Sequence, residues 1–184
     1  MLSPFNEAVL AKSATTTREF PFHPHIRPIE ARAVFTDLGW DFDSYYRFTF
    51  VRNPWKRLAS LYEMILRLDR NYRKPFDYWV RHSCVDGDGG GKQTWRRYGT
   101  YSLKNFAGDR RGRLLVNDVF RLEDIDGVPA TLRDRGIPLP PDAKVPLVNR
   151  SPNNAPHRER YTPELIQLVA DRYADEIAQF RYEF

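Results

Sequence analysis

A chain of 184 residues with 41% hydrophobic and 14% aromatic residues, and a formal net charge of +5, builds one globular domain around a core and is not a disordered chain. No stretch approaches the roughly 18 apolar residues of a membrane span. The N-terminus, MLSPFNEAVLAKS, lacks the basic and apolar regions of a secretory signal, and lone Cys84 has no partner for an internal disulfide, so a cytoplasmic protein is expected.

Ser3 and Pro4 cap a first predicted helix through about Lys12. Residues Ser13–Pro28 read as a Thr-rich, Pro-punctuated loop, and Pro28 opens a second helix that Gly39 ends. Tyr46–Arg52 (YRFTFVR) is rich in aromatic and β-branched residues and is predicted to be a buried strand. Asn53-Pro54 then caps a helix over about Trp55–Asp69, with Leu58, Leu61, Tyr62, Ile65 and Leu68 at helical spacing. A further helix is predicted from Pro75 through Val80, and DGDGGG at Asp86–Gly91 is a loop.

LLVNDVF, within Arg113–Arg121, is a second strand candidate, and Val128–Arg135 a helix stopped at Gly136. Ile137–His157 is a loop by its Pro and Asn content. Thr162-Pro163-Glu164 starts a terminal helix, with a buried stripe of Ile166, Val169, Ala170, Tyr173 and Ile177. Strands alternating with helices predict an α/β fold with a parallel sheet, as a single domain over residues 1–184.

The segment FTFVRNPWKRLASLY carries the chemistry. In an open α/β sheet, ligands bind beyond the carboxyl ends of strands. Arg52 stands at such an end, and the helix that Asn53-Pro54 opens presents free N–H groups and a favourable dipole to an anion. A guanidinium adds a planar, permanently charged fork suited to phosphate. Ser60, two helical turns on, has a hydroxyl that reaches the same phosphate if the helix runs beside it. The alternative is structural: Arg52 as an ion-pair partner, Asn53 as a cap only and Ser60 as a small packing residue. The physics alone leaves both open.

VRNPWKRLASLY resembles the 3′-phosphate-binding motif of sulfotransferases that use 3′-phosphoadenosine 5′-phosphosulfate (PAPS), in particular the family 2 carbohydrate sulfotransferases and their bacterial relatives. The matching positions are Arg52, Asn53, Pro54, Arg57, Ser60 and Tyr62. The resemblance implies that Arg52 and Ser60 hold the 3′-phosphate of PAPS, with Arg57 structural. DVFRLEDIDGV (Asp118–Val128), PLVNRS (Pro146–Ser151) and the closing RYTPELIQLVADRYADEIAQFRYEF are also similar to the family, so the likeness covers roughly Phe20 to Phe184. The family's Asn-containing loop lies near nucleotide and acceptor. Asn149, Arg150 and Ser151 are therefore candidates, against the alternative of an ordinary surface loop.

Family members begin with a strand and a loop of the form Pro-Lys-x-Gly-Thr-Ser, whose amides and Lys cradle the 5′-phosphosulfate. The nearest string here, Ala11–Thr17 (AKSATTT), has neither the Pro nor the Gly. The expectation is thus a P-loop NTPase-like parallel sheet flanked by helices, N-terminally truncated and without its first strand, and poorly active on its own.

Sulfuryl transfer needs a base for the acceptor hydroxyl. FHPHI places His23 and His25 two apart, and uronosyl 2-O-sulfotransferases of this family have a His-x-His whose second His is the base, which makes His25 the catalytic candidate. A packing role is the alternative, and two His without further ligands make a weak metal signal, so no metal is expected. His82 and His157 have no supporting context. The function implied is transfer of a sulfuryl group from PAPS to a hydroxyl acceptor, carbohydrate by resemblance; the alternative is a non-catalytic nucleotide-binding domain. Dispersed Lys and Arg, in clusters as short as Arg96–Arg97 and Arg110–Arg113, speak against nucleic acid as the partner.

Overall fold

Helix α1, Pro28–Asp37, starts where the sequence puts a proline at the first helical position. The computed structural model describes residues 22, 25–82, 99–145 and 157–184. The expected helix at Ser3–Lys12 and the loop at Asp86–Gly91 lie outside the described residues. The Glu30 carboxylate reaches back to accept from the Arg27 amide at 2.8 Å, closing the first turn of α1. After α1 the chain turns through Gly39, whose φ of 71° a side chain would disfavour. A 3₁₀ turn at Phe42–Ser44 leads into β1, Phe48–Val51.

Asn53 caps helix α2, Pro54–Leu68, by accepting from the Lys56 amide at 3.2 Å. Helices α3 (Phe76–His82) and α4 (Leu103–Ala107) follow. Strand β2, Asp118–Arg121, lies parallel to β1 with Phe48 opposite Asp118 and Val51 opposite Arg121. A 3₁₀ segment, Leu122–Gly127, passes into α5, Val128–Asp134, and Gly136 turns the chain at φ 83°. A further 3₁₀ turn, His157–Arg160, precedes α6 (Pro163–Arg172) and α7 (Ala174–Phe180). The fold is mixed α/β: a small parallel sheet flanked by helices, as expected for its class.

The core lies on one side of α2. Leu58, Ile65, Trp79, Val80, Leu165 and Val169 are fully buried there, and Tyr62, Phe76 and Tyr161 form an edge-to-face chain with centroids 5.2 and 5.0 Å apart. Three expectations need correction. Leu68 is 61% exposed, because α2 ends there and its last turn leaves the core. The strand at Tyr46–Arg52 is not buried: Phe48 and Phe50 are exposed and only Val51 is covered, because no further described strand or helix closes over that face. The terminal helix is two helices broken at Tyr173, and its buried stripe is Leu165, Val169, Tyr173 and Glu176. Ile166, Ala170 and Ile177 sit at its margin. The register shift follows from Glu176, which the core accepts as the partner of Arg57.

Candidate anion site at the start of helix α2

The turn from β1 into α2 fixes the site. Among the first backbone amides, Asn53 N–H donates to Glu123 Oε1 at 2.9 Å, Pro54 has none, and Lys56 N–H goes to the Asn53 side chain. The Trp55 amide is left without an acceptor among the described residues. The Asn53 amide nitrogen Nδ2 in turn donates to the Glu183 carbonyl at 2.7 Å, which ties the end of the chain to this turn. Asn53 is 4% exposed, so the cap is a rigid part of the interior.

Arg52, on the residue before the cap, is half-buried and makes no hydrogen bond or ion pair among the described residues. Burial pushes its guanidinium below its ordinary value, the Glu123 carboxylate draws it back up, and Arg57 pushes it down again. Glu123 is committed elsewhere, since Oε1 holds the Asn53 amide and Oε2 accepts from Tyr182 Oη at 3.3 Å. Ser60 is half-buried on α2, and its hydroxyl is likewise unpaired among the described residues. Lys56 is exposed and shares a helix face with Ser60, four residues on.

Arg57 differs. Its guanidinium pairs with Glu176 Oε1 at 2.8 Å and lies 4.8 Å from the centroid of the Tyr173 ring. The other carboxylate oxygen of Glu176 accepts from the Leu103 amide at 3.1 Å. Arg57 therefore knits α2, α4 and α7 together.

The 3₁₀ turn His157–Arg160 lies along the Lys56–Ser60 face. Arg160 pairs with Glu63 one turn further along α2, and Tyr161 Oη donates to the Trp55 carbonyl at 2.8 Å. The His157 ring stands 5.9 Å from Phe184, whose ring is 5.7 Å from Trp55. The His157 imidazole is held below its ordinary value by burial first, then by Lys56, Arg158 and Arg52. His157 and Lys56 did not stand out in the sequence. Lys56 was signalled only by its place in the first helical turn, and His157 by nothing short of tertiary packing.

His25 is exposed on the turn that leads into α1, and α1 packs on α4 and on the Phe42–Ser44 turn. His23, Asn149, Arg150 and Ser151 lie outside the described residues. Lys56 and Arg52, at the start of α2, are thus both close enough to act on His157, and Ser60 follows on the Lys56 face of the helix. Among the described residues no three His, Cys, Asp or Glu side chains gather as metal ligands, and no helix is long and apolar enough to cross a membrane. No protein-family model matches the chain, and no curated protein or solved structure matches it.

Proposed function

We propose that the start of α2 binds the 3′-phosphate of an adenosine 3′,5′-bisphosphate nucleotide, and that the chain is a PAPS-dependent sulfotransferase-like domain with a P-loop NTPase-like sheet. The observation that carries the reading is Arg52: a half-buried guanidinium with no partner among the described residues, at a strand end and beside a helix start with a spare amide. Glu123 acts on this charge without bonding to it, and an anion that arrives there pairs with it directly. Arg52 supplies a fork to two phosphate oxygens, the Trp55 amide and the helix dipole add to it, and the Ser60 hydroxyl donates from the neighbouring turns.

In the full reaction the acceptor hydroxyl oxygen attacks the sulfur of PAPS, the bond from sulfur to the bridging phosphate oxygen breaks, and 3′-phosphoadenosine 5′-phosphate leaves. His25 takes the hydroxyl proton in this reading, a role that rests on the resemblance alone. A carbohydrate is the proposed acceptor. Asn149, Arg150 and Ser151 are proposed to line the nucleotide or acceptor side.

A second reading is nucleotide binding without transfer, in which Arg52 and Ser60 hold the 3′-phosphate and no sulfuryl group is passed on. The deciding assay follows labelled sulfate from PAPS to a panel of polysaccharides, with Arg52→Ala and His25→Ala beside the wild type. Transfer lost in both variants supports the enzyme. Nucleotide binding that depends on Arg52 without any transfer supports the binding domain. No binding and no transfer overturns both.

A further inference from the structure

We propose that His157 is a third anion-binding side chain of the α2 site, and that an anion bound there takes up a proton on this imidazole. The inference rests on the anion-site reading above and adds a residue and a pH dependence to it. Nothing in the motif around Arg52 calls for a histidine about a hundred positions further along the chain.

Geometry brings His157 to the site by three independent ties. Arg160, at the other end of the same 3₁₀ turn, pairs with Glu63 on α2, which lays the turn along the face that carries Lys56 and Ser60. Tyr161, the next residue, donates to the Trp55 carbonyl at 2.8 Å. Phe184 sits between the rings of His157 and Trp55, and the adjacent Glu183 carbonyl is held by the Asn53 cap at 2.7 Å. In this setting His157 Nε2 is inaccessible to solvent and has no hydrogen-bond partner among the described residues. A buried ring nitrogen without a partner forfeits a hydrogen bond that water would have given it.

The charges acting on His157 explain both why it is left this way and what changes it. Lys56 and Arg52 act on it from the start of α2 and Arg158 from its own turn, all three positive. Together with burial they disfavour the charged imidazole. A sulfate or phosphate held by Arg52 and Lys56 offsets most of this positive charge and presents an acceptor oxygen. The imidazolium then becomes the favoured form, with a ring N–H donating to the anion. By linkage, affinity must rise as pH falls, by up to about tenfold per pH unit, in the window between the free and anion-bound titrations of His157.

Inorganic sulfate is the first probe, because it stays fully ionised across neutral pH, so its own titration does not contribute. The His157 imidazole resonance is followed by NMR across neutral pH in wild-type protein, with and without sulfate. A midpoint that moves to higher pH with sulfate supports the proposal, and an unmoved midpoint overturns it without recourse to any variant. Calorimetry with adenosine 3′,5′-bisphosphate in two buffers of different ionisation enthalpy then counts protons for wild type and His157→Gln. Uptake in the wild type that disappears in the variant is the expected result, and equal uptake in both sinks the idea. The two readings fail separately. Nucleotide binding that needs Arg52 but moves no proton at His157 removes this inference alone. A sulfate-dependent shift of His157 without preference for the 3′-phosphorylated nucleotide removes the nucleotide reading alone. No binding of either probe removes both.

Discussion

Arg57 and Arg52 flank the same helix start, and their surroundings are opposites. Arg57 points into the junction of α2, α4 and α7, where Glu176 neutralises it and Tyr173 covers it. Arg52, at the end of β1, is half-buried, and Glu123, the carboxylate that acts on it, is engaged by an amide and a phenol. A motif match treats both as parts of one pattern. Their environments tie one to holding the fold and support the proposal that the other receives a ligand, and that division can be tested residue by residue.

The largest effect is expected at the structural arginine. Glu176 is 3% exposed, so Glu176→Ala leaves the Arg57 charge inside the protein without its partner and frees the Leu103 amide. Breaking a buried pair from one side costs about 3–5 kcal/mol. Urea unfolding should show a loss of that size, and a loss below roughly 1 kcal/mol, typical of exposed pairs, would mean that Arg57 is not structural. Replacing both partners by apolar residues, Arg57→Met with Glu176→Leu, should recover much of the loss, as buried pairs commonly allow.

The ligand arginine should behave in the reverse manner. Arg52→Ala removes a charge with no described partner, so stability is expected to hold or rise slightly. Affinity for adenosine 3′,5′-bisphosphate should fall ten- to hundredfold, the equivalent of about 1.5–3 kcal/mol for a hydrogen bond to a charged group. Calorimetry is the measurement; equal affinity in variant and wild type would remove Arg52 from the site. Smaller again, Ser60→Ala should cost roughly two- to tenfold, as a neutral donor does. It should also narrow the preference for adenosine 3′,5′-bisphosphate over adenosine 5′-monophosphate. A wild type that binds both nucleotides equally contradicts a 3′-phosphate site.

The same contrast explains which parts of the molecule were legible in the sequence. Helix starts at Pro28, Asn53-Pro54 and Thr162-Pro163 and turns at Gly39 and Gly136 are local signals, since a cap or a positive φ is decided by one or two residues. The strand, cap and helix that carry Arg52 and Ser60 were visible for the same reason, because they are contiguous. The face of the C-terminal helices was misread, since a periodicity count places Glu176 outside and cannot see Arg57 waiting for it on α2. The exposure of Phe48 and Phe50 was misread too: aromatic and β-branched content marks a strand, not what covers it. His157 was illegible, because its place depends on Arg160, Tyr161 and Phe184 docking on α2 from the other end of the chain.

The smallest effect is in the pH dependence of stability. In the unfolded chain His157 titrates near 6.5, and in the fold it titrates lower. As pH falls through about 6.5 the unfolded state takes up a proton that the folded state still refuses, so stability must fall with pH in this window. Below the folded-state titration both states are protonated and this contribution levels off. The carboxylates held low in the fold, Asp43, Asp109 and Glu164, have the opposite pattern: their stabilisation is present at neutral pH and is lost only as pH falls below their unfolded values near 4. The histidine effect therefore begins at higher pH than theirs. Urea unfolding of wild type and His157→Gln between neutral pH and pH about 5 should therefore give a shallower decline in the variant. Saturating sulfate should flatten the wild-type curve toward it, because a protonated His157 is then compensated in the folded state. Parallel curves for the two proteins would mean that His157 titrates alike in both states, and that Lys56 and Arg52 do not reach it.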